Sequence, residues 1–412
     1  MRNAFLLALT LVASTAFAQT PATAPALPEP TPVLPEPAAA PTPGAPSVSL
    51  TPPEVPGAAW VLMDFESGQV LAERNSRTPL DPASITKVMT SYVVADALSK
   101  GDITLDDEVF ISERAWRQGG AGTDGSFSGL KVNAKAKLDD IIHGLVIQSG
   151  NDASIALAEH IAGTEEAFAD LMNQYAKRLG MNDSHFVNSH GLTAEGHKMS
   201  AYDVALLSRA LIRDHPEHYA LYSIEEYTYG GIKQYNRNGL LFRDSSVDGI
   251  KTGHTEAAGY CLAASAKRGD QRLISVVMGI NGSRNEGFKQ REDANQALLN
   301  WGFRAFETHK LYTAGQTIAE PEVWRGVNDT APLGVARDMF VTIPRGRYSE
   351  LKAEMGVPPL LIAPLTQGQE VGSVKVNLGE QVVAEMPMVS LQAQDEAGFF
   401  RRTWHDALLL FE

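Results

Sequence analysis

The chain has 412 residues, 44% of them apolar, a formal net charge of -14 and one cysteine, Cys261. That length accommodates a large domain and a smaller one, each with its own core. The acidic balance argues against a nucleic-acid partner, since nothing here would neutralise a phosphate backbone, and a lone cysteine excludes an internal disulfide.

Met1-Arg2, an apolar run from Phe5 to Val12, and Ala16-Phe17-Ala18 form a removable secretion signal over residues 1–18. The run is too short for a stop-transfer helix, and no cysteine follows it to carry a lipid. Export is the expectation. Residues 19–56 are dominated by Pro and Ala, cannot bury enough apolar surface to fold, and read as a stiff polyproline-like linker.

Globular sequence begins near Gly57. Ala59 to Asp64 and Ser67 to Ala72 read as a hairpin. Pro82 precedes a helical pattern with Ile85, Val88, Met89, Tyr92 and Val93 on one face. Further helices are expected from Leu138 to Ile147, from Ala153 to Ile161, and from Glu165 to Leu179, the last between a Thr164 N-cap and a Gly180 terminator. After Gly249 come strands at Ile250–Thr252, Tyr260–Ala266 and Leu273–Ile280, then a helix from Lys289 to about Phe306. This order predicts an α+β domain over 57–309, with helices packed on an antiparallel sheet.

Residues 310–395 show short β segments such as Met339–Ile343, Glu370–Val376 and Gln381–Met386, a small all-β domain. Over 396–412, Phe400, Trp404, Ala407, Leu408 and Phe411 share one helical face while Arg401, Arg402 and Asp406 lie elsewhere. Such a C-terminal amphipathic helix is expected to lie on a membrane surface through Phe400, Trp404, Leu408 and Phe411, the alternative being a terminal helix docked on the β domain.

Three Ser-x-x-Lys pairs occur: Ser84 with Lys87, Ser128 with Lys131, and Ser349 with Lys352. Only Ser84 opens an apolar-periodic helix after a Pro, with its lysine on the same face. Ser128 lies in a Gly-rich loop and Ser349 in the β domain. A serine hydroxyl is a weak nucleophile until a base takes its proton, and a desolvated lysine can be that base. Such a lysine needs polar partners and a second cation around it. Ser149-Gly150-Asn151, between two helical patterns, and Lys251-Thr252-Gly253, on a strand, supply them. Ser283-Arg284-Asn285 rivals the first of these but follows Lys251 and reads as a charged loop.

In this order the triplets form a penicillin-binding signature. With Gln148-Ser149-Gly150-Asn151-Asp152-Ala153, Asn236 to Leu241, Val247 to Thr255 and Asn300 to Arg304, the chain from about 57 to 412 resembles the low-molecular-mass D-alanyl-D-alanine carboxypeptidases, the penicillin-binding protein 5 and 6 group. The resemblance implies a penicillin-binding/β-lactamase-like transpeptidase domain. It implies Ser84 as nucleophile, Lys87 as general base and Ser149 as proton relay. Asn151 would hold the substrate amide. The backbone of Ser84 and His254 would form an oxyanion hole. Lys251, Thr252, Gly253, Arg291 and Arg237 would line the site for the terminal carboxylate. The implied partner is a peptidoglycan peptide ending in D-Ala-D-Ala, with β-lactams as covalent inhibitors, no cofactor and no metal. The implied location is the periplasmic face of a bacterial inner membrane.

Cys261 reads as a small core residue, and His143, His190 and His197 lack metal-ligand spacing, although His190 is placed to line the cleft. The absence of Gly-x-Ser-x-Gly argues against an α/β-hydrolase. A serine β-lactamase would need a second base, and no convincing glutamate motif is found between Asn151 and Lys251. Two further alternatives are an endopeptidase on cross-linked peptides and a catalytically inactive wall-binding protein.

Overall fold

The computed structural model describes residues 50–120, 123 and 125–408. The expected signal at 1–18, the linker up to residue 49, and Phe411 lie outside the described residues.

One five-stranded antiparallel sheet organises the first part of the molecule, with spatial order Val70–Arg74, Ala59–Asp64, Gln271–Ile280, Gly259–Arg268, Val247–Thr255. Its central strands are apolar on both faces, and the alternation of side chains divides them between two cores. Val61, Met63, Ala263, Ile274 and Val276 pack into a cluster with Val88, Met89, Leu207 and Leu211 of the helical lobe. Trp60, Leu62, Leu262, Leu273 and Val277 turn the other way, against Leu298, Leu299 and Trp301 of the Arg284–Ala305 helix. The sheet is therefore a filling between helices, as the expected α+β domain requires.

The Glu165–Leu179 helix has the expected limits: Thr164 Oγ1 accepts from the Ala167 N–H at 3.1 Å, and Gly180 terminates it at φ +75°. Two helices differ from expectation. The segment expected as one helix from Leu138 runs as α-helix only to His143, then winds as a wider π-turn over Gly144–Gln148 before the next helix, Asn151–Ala162. The last helix of the domain starts at Arg284, not Lys289. Ser283 and Glu286 close a capping box there, so Ser283-Arg284-Asn285 is a helix start and not a charged loop.

In the second part, a five-stranded sheet runs in the order Thr317–Ala319, Leu333–Val335, Gln381–Ser390, Glu370–Leu378, Leu351–Gly356. Its core includes Val335, Val341, Val374, Val376 and Met388. A two-stranded ladder, Phe306–Tyr312 with Met339–Pro344, links it to the first part. At the junction Thr308 Oγ1 donates to Asp64 Oδ2 at 2.6 Å, and Arg345 Nη2 donates to the carbonyls of Phe303 and Phe306 at 2.9 Å each.

The Phe399–Leu408 helix is held by its polar side. The Arg325 N–H donates to His405 Nδ1 at 2.7 Å, and Arg401 Nη1 donates to the Val327 carbonyl at 3.1 Å. Phe399, Phe400, Trp404 and Leu408 are left exposed, Phe400 at 88% and Trp404 at 64%. No helix among the described residues is long and apolar enough to cross a membrane.

Candidate active site

Ser84 lies in a single 3-10 turn, Ala83–Thr86, that runs directly into the Lys87–Lys100 helix. In a 3-10 turn residues three apart eclipse one another, so Ser84 and Lys87 come together on one side. The turn is clasped by two backbones. A Cβ on Gly191 would stand 1.9 Å from the Ala83 carbonyl oxygen, and a Cβ on Gly253 would stand 2.9 Å from that of Pro82. Both positions need glycine for close approach, and Gly191 also sits at φ +90°.

Lys87 is 1% exposed. Its Nζ lies 2.7 Å from Asn151 Oδ1, 2.7 Å from the His190 carbonyl oxygen and 3.0 Å from Ser84 Oγ. Burial pulls its pKa down to about 7, against the opposing pull of the Asp152 and Glu165 carboxylates. A neutral amine has two N–H bonds and one lone pair. Asn151 Oδ1 and the His190 carbonyl can only accept, so they take both N–H bonds, and the lone pair is left facing the Ser84 hydroxyl.

The π-turn at Gly144–Gln148 ends on Ser149, which is buried with φ +66°, in the left-handed region. Gly150 follows because a Cβ there would meet Ser128 Oγ at 1.8 Å. Asp152, one residue beyond the triplet, accepts from the backbone N–H groups of Ser128 (2.7 Å), Gly129 (3.1 Å) and Leu130 (3.1 Å). Ser128 is thus a buried residue of a loop strapped behind the triplet, while Lys131 is exposed.

Lys251 and Thr252 are buried on the edge strand 247–255, and the Lys251 ammonium donates to the Thr252 carbonyl at 3.3 Å. Burial lowers its pKa well below the usual lysine value, and the neighbouring basic groups Lys87, Arg237 and Arg291 push in the same direction. His254 is exposed and stacks on Tyr260 with ring centroids 4.1 Å apart. Arg291, on the 284–305 helix, is 4% exposed and lies over the Phe288 ring at 4.7 Å; its Nη2 donates to the Arg237 carbonyl at 3.2 Å. Burial brings its pKa to about 10. The Arg237 side chain is exposed. Cys261 is buried on the neighbouring strand, its thiol pushed up to about 11 by desolvation.

Lys87 is brought into direct contact with both Ser84 and Asn151, Lys251 feels the charge of Lys87, Arg237 and Arg291, and Arg291 reaches the Arg237 backbone. No spacing pattern ties His190 to Lys87. Its carbonyl is one of the lysine's two acceptors, 103 positions away along the chain. The nearest sequence signal was the His190-Gly191 pair, whose glycine is the one that clasps Ala83.

Residues 47–282 match the D-alanyl-D-alanine carboxypeptidase family, and residues 306–396 match the C-terminal domain of penicillin-binding protein 5. The chain is 44% identical over 362 residues to the D-alanyl-D-alanine carboxypeptidase DacA of Escherichia coli, covering 87% of this chain and 89% of that one. Its fold matches the structure of penicillin-binding protein 5 from Haemophilus influenzae with a TM-score of 0.80, at 42% identity over 84% of this chain and 99% of that one. Penicillin-binding protein D2 from Listeria monocytogenes, solved in its ampicillin-bound form, matches 60% of this chain and 98% of its own with a TM-score of 0.52 at 28% identity. With its paired lysines, its Ser-Gly-Asn turn and its β domain, the chain belongs to the D-alanyl-D-alanine carboxypeptidase family of serine peptidases.

Proposed function

We propose that this protein removes the terminal D-Ala from peptidoglycan pentapeptides through an acyl-enzyme on Ser84. The observation that carries this reading is the Lys87 amine, buried, brought down to about 7 and 3.0 Å from Ser84 Oγ. Lys87 takes the hydroxyl proton as Ser84 attacks the carbonyl of the penultimate D-Ala. The backbone N–H groups of Ser84 and His254 receive the oxyanion. Ser149 passes a proton to the leaving D-Ala amine, and Asn151 holds both the lysine and the substrate amide. Thr252, Arg291 and Arg237 take the terminal carboxylate, with Lys251 keeping the pocket positive.

β-Lactams acylate the same serine and leave slowly. Glu165 is buried between Asn151 and Lys251 in sequence, but its carboxylate is engaged by Ser189 and Arg114, which supports the absence of a second hydrolytic base. A fluorescent penicillin should label the parent and not Ser84→Ala, and D-Ala release from a pentapeptide should exceed cleavage of a cross-linked dimer. Labelling of Ser84→Ala would refute the nucleophile, and faster dimer cleavage would make the protein an endopeptidase.

Residues 1–18 act as an export signal and 19–56 as a spacer, which puts the 57–309 domain on the periplasmic side of the inner membrane. The 396–412 segment lies on that membrane through Phe400, Trp404 and Leu408. Docking of the helix by His405 and Arg401 supports this, because it leaves the apolar side free.

A further inference from the structure

Behind the lysine lies a buried carboxylate that the reaction does not use. Glu165 opens the 165–179 helix and is 3% exposed. Its Oε1 accepts from the Ser189 N–H at 3.1 Å and from Ser189 Oγ at 2.7 Å. His190 Nε2 stands 3.3 Å from the same oxygen. The Leu192 N–H donates to His190 Nδ1 at 3.1 Å, so the neutral ring carries its proton on Nε2, facing Glu165. The other oxygen, Oε2, accepts from Arg114 Nη2 at 3.0 Å, and Arg114 also bridges Glu166. The residues gripped by Glu165 are thus Ser189 and His190, and the carbonyl of His190 is one of the two acceptors that orient the Lys87 amine.

We propose that Glu165, braced by Arg114, is a positioning residue for Lys87: its carboxylate fixes the Ser189–His190 turn whose carbonyl holds the amine, and its negative charge acts on that amine without touching it. The proposal rests on Lys87 being the proton acceptor for Ser84.

Two consequences separate a positioning role from a merely structural one. The charged groups facing Lys87 are Asp152 from the 151–162 helix, Glu165 from the 165–179 helix and Lys251 from the edge strand; on the far side of Glu165 stand Arg114 and Glu166. His190, held neutral down to about pH 3 by burial and by the neighbouring cations, adds no charge. The two carboxylates favour the protonated lysine, which cannot take a proton. Removing the charge of Glu165 while keeping an acceptor oxygen therefore makes Lys87 a competent base at lower pH. Removing the acceptor as well loosens the turn and lowers the rate at every pH.

The test is the pH profile of Ser84 acylation by a fluorescent penicillin, measured on the full mature chain as parent, Glu165→Gln, Glu165→Ala and Lys87→Ala. The acid limb of Glu165→Gln should lie about 0.5–1 pH unit below that of the parent. Its plateau should exceed that of Glu165→Ala by about tenfold, the cost of one lost hydrogen-bond acceptor. An acid limb that does not move in Glu165→Gln, or equal plateaus for the two Glu165 variants, overturns the proposal. Lys87→Ala should not acylate at all; if it reacts at the parent rate, the assignment of Lys87 fails, which is a different result from a failure at Glu165.

Discussion

Asn151 Oδ1 accepts a 2.7 Å hydrogen bond from Lys87 Nζ, tying the middle triplet to the lysine of the first. Replacing Asn151 should therefore disturb the base as well as the substrate. Asn151→Ala is expected to slow acylation by about 10- to 100-fold, the cost of one hydrogen bond to a buried amine. Asn151→Asp places an anion against the amine, holds it protonated, and should move the acid limb of acylation upward by about one pH unit or more. Stopped-flow acylation across pH checks both; a downward move in Asn151→Asp would refute the contact.

Gly191→Ala adds a Cβ where only 1.9 Å separates it from the Ala83 carbonyl, at φ +90°. The Ser84 turn must shift to admit it. A loss of about 1–3 kcal/mol in unfolding free energy is expected, together with slower penicillin labelling. Denaturant titration and labelling kinetics on the same sample measure the two effects.

Lys87 carries a pH signature in stability. Its folded pKa of about 7 lies below the ordinary lysine value of 10.5, so between those values the unfolded chain binds more protons than the folded one. Stability contributed through this group therefore rises with pH across that window and is smallest below pH 7. The stability of the parent relative to Lys87→Met should increase by about 4 kcal/mol from pH 6.5 to 10.5. A difference independent of pH would mean that the lysine is not held neutral.

Arg291 is expected to read the free terminal carboxylate. Arg291→Gln should lower kcat/KM for a D-Ala-D-Ala peptide by about 100-fold, and should affect the same peptide ending in a carboxamide far less. If both peptides lose equally, Arg291 supports the fold and not recognition.

Serine substitutions at Phe400 and Trp404 should weaken binding to anionic phospholipid vesicles by about 10-fold or more, since both rings are exposed in the docked helix. Vesicle sedimentation decides this; unchanged binding would refute membrane contact through these rings.

Much of this site could be read from the sequence because its chemistry is written in short local patterns. Ser84 and Lys87 are one turn apart, and the other two triplets are contiguous. Thr164 and Gly180 bounded a helix correctly because capping is a local interaction. The Ser283 capping box was equally local, and its charged surroundings obscured it. The π-turn before Ser149 was not legible, since Leu138 to Ile147 has an unbroken helical apolar pattern and only packing widens it. The bond from Lys87 to the His190 carbonyl, and Glu165 behind it, were not legible for a different reason. The contacts of His190 and Glu165 to Lys87 and Ser189 join segments 24 to 103 residues apart, and no spacing rule reaches that far.

The close approach of Gly253 to Pro82 has a consequence for folding. The strand that carries Lys251 is at the edge of its sheet, and at Gly253 it packs closely on the Ser84 turn, against the Pro82 carbonyl and the Ala83 and Ile85 side chains. Ser84, Asn151 and Lys251 become neighbours only when segments from the beginning, middle and end of the domain have all come home. A chain halted short of that step would have its serine but no pocket around it. Capture of penicillin by a refolding sample would then time the completion of the pocket, reporting it through a covalent bond.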